Sequence, residues 1–143
     1  MKRLALIAAC VVCATTASAE DQTATQYQNL LTPLLKSGSD VLGNPIAYPQ
    51  GAADVTAAIV TVPPGGTTGW HHHEVPLFAY ILEGDLTVDY GERGTRTYRA
   101  GEAVLEAMNW PHNGTNTGDG PMQLIAVYMG GGDKANTVAG DSP

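Results

Sequence analysis

Residues 65–84 read GGTTGWHHHEVPLFAYILEG, and Trp70-His71-His72-His73-Glu74 within them holds three of the chain's four histidines. Successive side chains of a strand point to opposite faces, so His71 and His73 share a face while His72 points away. Two imidazoles on one face, about 6–7 Å apart along the strand, can chelate one cation. A third ligand has to come from another strand, and the remaining histidine is His112. Taken alone, the run would equally suit a solvated metal-scavenging tract or a packed core histidine. Its surroundings decide between these readings.

On either side the chain alternates short β-prone runs with turn signals. Val55–Val62 ends at Pro63-Pro64-Gly65-Gly66, and Leu77–Leu82 ends at Glu83-Gly84-Asp85. Leu86, Val88 and Tyr90 alternate with Thr87 and Asp89, the pattern of a half-buried strand. Gly91–Gly94 reads as a hairpin loop and Thr95–Arg99 as the return strand; Ala103–Ala107, His112–Asn116 and Met122–Tyr128 complete the set. Many short strands at close spacing predict an all-β barrel or jelly roll, and closure removes the exposed edges of such a sheet.

Residues 65–84 and the stretch GEAVLEAMNWPHNGTN at 101–116 together resemble the two motifs of the cupin family. The first motif is Gly, five residues, His-x-His, three or four residues, Glu, six residues, Gly; here it starts at Gly65, places His71 and His73, and closes on Gly84. The second is Gly, five residues, Pro-x-Gly, two residues, His, three residues, Asn; here it starts at Gly101 and places His112 and Asn116. The resemblance covers roughly residues 50–130, and the segment between the motifs has the length seen in small single-domain members. It implies an antiparallel double-stranded β-helix with a metal inside, held by His71, His73 and His112.

Three positions depart from the pattern. Ala107 and Asn109 stand for the proline and glycine of the second motif; Asn tolerates a left-handed backbone, so Asn109 can serve there. The departure at Leu77 is chemical, because it stands where the family has its glutamate ligand. Leucine cannot coordinate, so the expected ligand set is three neutral imidazoles. Glu74 should face away from His73, and Glu106 has no direction that sequence fixes; it is the weak acid/base candidate.

A metal lacking one protein ligand keeps its full charge and open positions for substrate and oxygen. Some cupin dioxygenases, among them cysteine dioxygenase and a diketone-cleaving enzyme, use three histidines. The resemblance therefore implies a dioxygenase-like oxidoreductase acting on a small neutral or enolisable molecule. Segments 71–82 and 107–116 hold no Arg to clamp a carboxylate, which speaks against a cysteine dioxygenase. Two alternatives stay open: a non-catalytic cupin that binds or senses a metal or small ligand, and a metal-dependent isomerase or lyase. Imidazoles suit iron, zinc, nickel, copper or manganese, so the divalent metal is not chosen by the ligand set.

If Leu77 faces the barrel interior, so do Ala79 and Ile81, a small apolar wall for substrate. Phe78, Tyr80 and Leu82 then form an outer stripe that needs covering by a strand near Leu30–Leu35 or by a second subunit, so a homodimer is expected. Trp70 and Trp110 either rim the site or pack turns against the barrel.

The N-terminal stretch is read apart from the fold. Lys2 and Arg3, the apolar run Leu4–Ala14 and Ala17-Ser18-Ala19 follow the order of a secretory signal, with cleavage expected after Ala19 and a periplasmic or secreted product. Cleavage would remove both cysteines, Cys10 and Cys13, and leave 124 residues with 5 basic against 14 acidic side chains. That balance, without a basic stripe, excludes non-specific nucleic-acid binding and attachment to an anionic membrane surface. The expected divisions are a signal at 1–19, a leader and edge strand at 20–49, the barrel at 50–130 and a flexible tail at 131–143.

Overall fold

The computed structural model describes residues 26–143. The expected signal and its cleavage site lie outside them. Residues 26–33 form a short turn of their own, in which Leu30 N donates to Tyr27 O and Leu31 N to Gln28 O. The main unit is Leu34–Pro143. Among the described residues, no helix is long and apolar enough to cross a membrane.

The main unit is all-β and antiparallel. Its strands are β1 Ala53–Val62, β2 His71–His72, β3 Leu77–Glu83, β4 Asp85–Asp89, β5 Thr95–Arg99, β6 Ala103–Leu105, β7 Asn113–Asn116, β8 Met122–Gly131 and β9 Val138–Ala139. The chain switches repeatedly between a four-stranded sheet of order β1-β8-β3-β6 and a three-stranded sheet of order β5-β4-β7; β2 and β9 make a separate pair. The Gly91–Gly94 loop contains one 3₁₀ turn, Gly91–Arg93.

Alternation explains the core. Leu77, Ala79 and Ile81 of β3, Leu86 and Val88 of β4, and Met122, Leu124 and Ala126 of β8 are buried in one cluster between the sheets. The corner from β3 to β4 is sharp because Gly84 takes φ +76°, and a Cβ there would sit 2.8 Å from Pro121 O. Asn109 also adopts a positive φ, 53°, as expected for the glycine it replaces. Asn116 is buried and closes the barrel end: its Nδ2 donates to Val62 O and Gly120 O, each at 2.8 Å, and its Oδ1 accepts from Gly118 N.

Two expectations outside the barrel are corrected. The leader contains no strand near Leu30–Leu35, and Leu34 and Leu35 are exposed. Pro33 has no N–H to give a ladder. The leader docks instead through Asp40, whose carboxylate accepts from Leu42 N, Asn44 N and Met108 N. The segment read as a flexible tail is also tied in. β8 continues to Gly131, β9 pairs with His71–His72, and Gly140 N donates to Trp70 O. The glycines that suggested a tail are there for close approach: a Cβ on Gly130 would lie 2.5 Å from Asp54 O.

Candidate metal centre

The three histidines are brought together by backbone pairing. His71 N donates to His112 O at 3.0 Å and His112 N to His71 O at 2.9 Å, so the two rings leave one face of a hydrogen-bonded antiparallel pair. His73 is placed by a bridge to Met108, with Asn109 N donating to His73 O at 2.8 Å. The ring centroids are 4.5, 4.9 and 5.0 Å apart, and one nitrogen from each ring lies within 4.8 Å of the others. A metal bound at Nε2 sits about 3.2 Å from the ring centre, so three rings around one cation at roughly 90–110° have centroids about 4.5–5.2 Å apart. The observed spacing matches.

The hydrogen bonds choose the ligand atom. Nδ1 of His71 is 2.8 Å from Gly69 O, Nδ1 of His73 is 2.7 Å from Asn136 O, and Nδ1 of His112 is 2.8 Å from Trp110 O. A carbonyl only accepts, so each Nδ1 carries the proton and each Nε2 keeps a free lone pair. Burial holds all three rings below the ordinary imidazole range, His73 down to about 3. Neutral, correctly oriented imidazoles are what a divalent cation requires, and the cluster is a divalent-metal site.

The cluster opens on a cavity of about 450 Å³ whose wall includes Val60, Val62, Leu77, Ala79, Ile81 and Leu124. Residues 58–128 match the cupin domain family. The chain belongs to the cupin superfamily. Solved structures share the architecture. A Klebsiella pneumoniae protein with a double-stranded β-helix domain is 16% identical, with a TM-score of 0.54 over 80% of this chain and 94% of its own. A polyketide cyclase, RemF of Streptomyces resistomycificus, is 22% identical, with a TM-score of 0.53 over 65% of each chain. Oxalate decarboxylase of Lactobacillus farciminis is 23% identical, with a TM-score of 0.52 over 59% of this chain, but the match spans only 26% of the decarboxylase. At these identities the likeness is one of fold. No curated protein matches the chain.

The remaining site residues of this cupin divide by direction. Leu77, Ala79 and Ile81 line the cavity, so no carboxylate enters the cluster from the first motif. Glu74 turns outward: its Oε2 accepts from Ala135 N at 2.9 Å and its Oε1 pairs with Lys134 at 3.3 Å. Those two contacts hold its carboxyl below the usual range. Glu106 is buried on the cavity wall, where desolvation raises its pKa. Trp70 lines the cavity. Trp110 packs against the core instead, donating from Nε1 to Tyr90 O beneath the Arg93 guanidinium.

Three contributors escaped the sequence reading. Tyr90 is fully buried, donates to Glu106 and lies 5.8 Å from the His112 ring. Its inward phase after Leu86 and Val88 was the available signal. Tyr128 lies on the cavity wall, edge-on to His73 at 5.6 Å. Asn136 acts through its carbonyl, which no sequence pattern marks.

Proposed function

We propose that this cupin is an exported, metal-dependent, dioxygenase-like enzyme acting on a small, neutral, enolisable molecule. The observation that carries the reading is a cluster of three neutral imidazoles, with no carboxylate among them, set in the wall of an apolar cavity. A bound divalent metal supplies Lewis acidity towards an enol, phenol or diketone oxygen and open positions for oxygen. The chain's own residues do the selecting. Leu77, Ala79, Ile81 and Leu124 bury the apolar part of the molecule. Among the described residues no Lys or Arg lines the cavity to clamp a charged carboxylate. Iron(II) fits an oxygenase, and zinc, nickel, copper and manganese suit the same ligands. The reading places the protein in the periplasm or outside the cell as a homodimer.

The test is elemental analysis of protein purified without a chelating resin, followed by oxygen uptake with diketones and phenols. The expected result is one metal per chain and uptake that His73→Ala abolishes. Tightly bound zinc with no oxygen consumption by any of these compounds would overturn the oxygenase reading in favour of a binding protein.

A further inference from the structure

We propose that Glu106 is a second polar anchor of the cavity, which recognises a hydroxyl on an otherwise apolar molecule and discriminates against carboxylates. The inference rests on the metal-dependent reading and names the ligand class of the same cavity.

Glu106 is only 7% exposed, yet it stands on the cavity wall. One of its oxygens is fully committed: Oε1 accepts from Tyr90 OH and from Ala107 N, both at 2.8 Å. The Tyr90 oxygen lies 3.2 Å from Tyr98 OH, and since the Tyr90 proton goes to Glu106, Tyr98 is the donor. This chain fixes the carboxyl plane. Oε2 has no hydrogen-bond partner among the described residues, and no Lys or Arg lines the cavity to pair with it.

Oε2 therefore opens on the cavity rather than being sealed in the core, and in an apolar cavity it suits a partner that arrives with the ligand. The threonines of the wall do not compete for that role, and Glu106 is the one carboxyl group among the described residues that line it. Thr67 Oγ1 accepts from Gly69 N, Thr68 Oγ1 bonds Gly69 O and Gly114 N, and Thr61 and Thr137 are exposed.

A hydroxyl is complementary to Glu106 in either protonation state. It donates to the carboxylate and accepts from the acid. A ligand carboxylate can only accept, and the ionised form of Glu106 repels it. Where Glu106 is ionised, an enol or phenol that turns its oxygen towards the histidine cluster has a proton acceptor in Oε2: the O–H bond breaks with its electron pair kept on the ligand oxygen, the proton goes to the carboxylate, and no oxidant is consumed.

The experiment uses 4-nitrophenol, held below its own pKa, and 4-nitrobenzoate, which are close in shape and differ in the group offered. Each is titrated calorimetrically into the zinc-loaded wild type, Glu106→Gln and Glu106→Leu, with zinc content measured on the same samples. The wild type should bind the phenol at least about tenfold more tightly than the benzoate, the scale set by one unmet buried polar group. Glu106→Leu should erase that preference. Glu106→Gln still accepts from Tyr90 and Ala107, so it tests the anchor in a folded, zinc-loaded protein; it should keep only part of the preference. Equal affinities in the zinc-loaded wild type, or an undiminished preference in both variants, would overturn this inference alone. A wild type that takes up no zinc would overturn the metal reading and this inference with it.

Discussion

Nδ1 of His73 donates to the carbonyl of Asn136 at 2.7 Å, a bond between residues 63 apart in the chain. The other two ligands take their carbonyl from two residues earlier, Gly69 for His71 and Trp110 for His112. The cluster therefore depends on one remote segment, held by Glu74 to Ala135 N and by β9 to His71–His72. Deleting residues 133–143 should weaken zinc binding about 10–100-fold, the usual cost of losing an outer partner of a metal-bound histidine. Competition against a chelator of known affinity measures this. Unchanged affinity would mean that His73 needs no such partner.

Leu77 stands where the family carries its glutamate ligand and lies on the cavity wall with the three histidines. Leu77→Glu should restore a carboxylate to the ligand set, tighten zinc binding by about tenfold or more, and take up a position open to substrate. The same competition assay, with oxygen uptake beside it, reads both effects. If affinity is unchanged while the variant remains folded, the side chain at position 77 does not reach the metal.

These two sites mark what sequence made legible. His71, His73 and His112 could be read because strand alternation and motif spacing are local patterns, and the inward phase of Leu77, Ala79 and Ile81 followed from the same period. The role of residues 131–140 could not be read. Glycine is an ordinary turn signal, and at Gly130 it serves a strand passing close to Asp54 O. The Leu30–Leu35 strand failed because apolar character was weighed without Pro33, which denies the ladder a donor. The direction of Glu106 is set by Tyr90, sixteen residues away, a tertiary contact with no local signature.

The outer face of the four-stranded sheet has apolar rows running across it. Ile59 pairs with Ile125, which pairs with Tyr80; Ala57 pairs with Val127, which pairs with Phe78. Ile59 and Val55 are 64% and 62% exposed on the edge strand β1. Such a face, beside a strand edge that no other strand pairs with among the described residues, suits a second copy of the chain. Sedimentation equilibrium should give a dimer for the wild type and a monomer for Ile59→Glu, with zinc content unchanged. A monomeric wild type at micromolar concentration would remove the homodimer from the proposal.

Acid should destabilise the metal-free protein through His73. Its ring is 2% exposed, and burial lowers its pKa from 6.5 to about 3 in the folded state. Between those values the unfolded chain binds a proton that the folded chain refuses, so stability falls as pH falls and the loss ends only near pH 3. From pH 7 to pH 5 this group alone should cost about 2 kcal/mol. His71 and His112, lowered by burial too, act with the same sign. Glu106 acts oppositely: its raised pKa lets the folded state take a proton first, so it offsets part of the loss as pH falls towards the carboxyl range. Urea unfolding at the two pH values should therefore show a smaller acid loss for His73→Gln than for the wild type, by about 2 kcal/mol. Equal losses in the two proteins would mean that the His73 ring protonates as readily when folded as when unfolded.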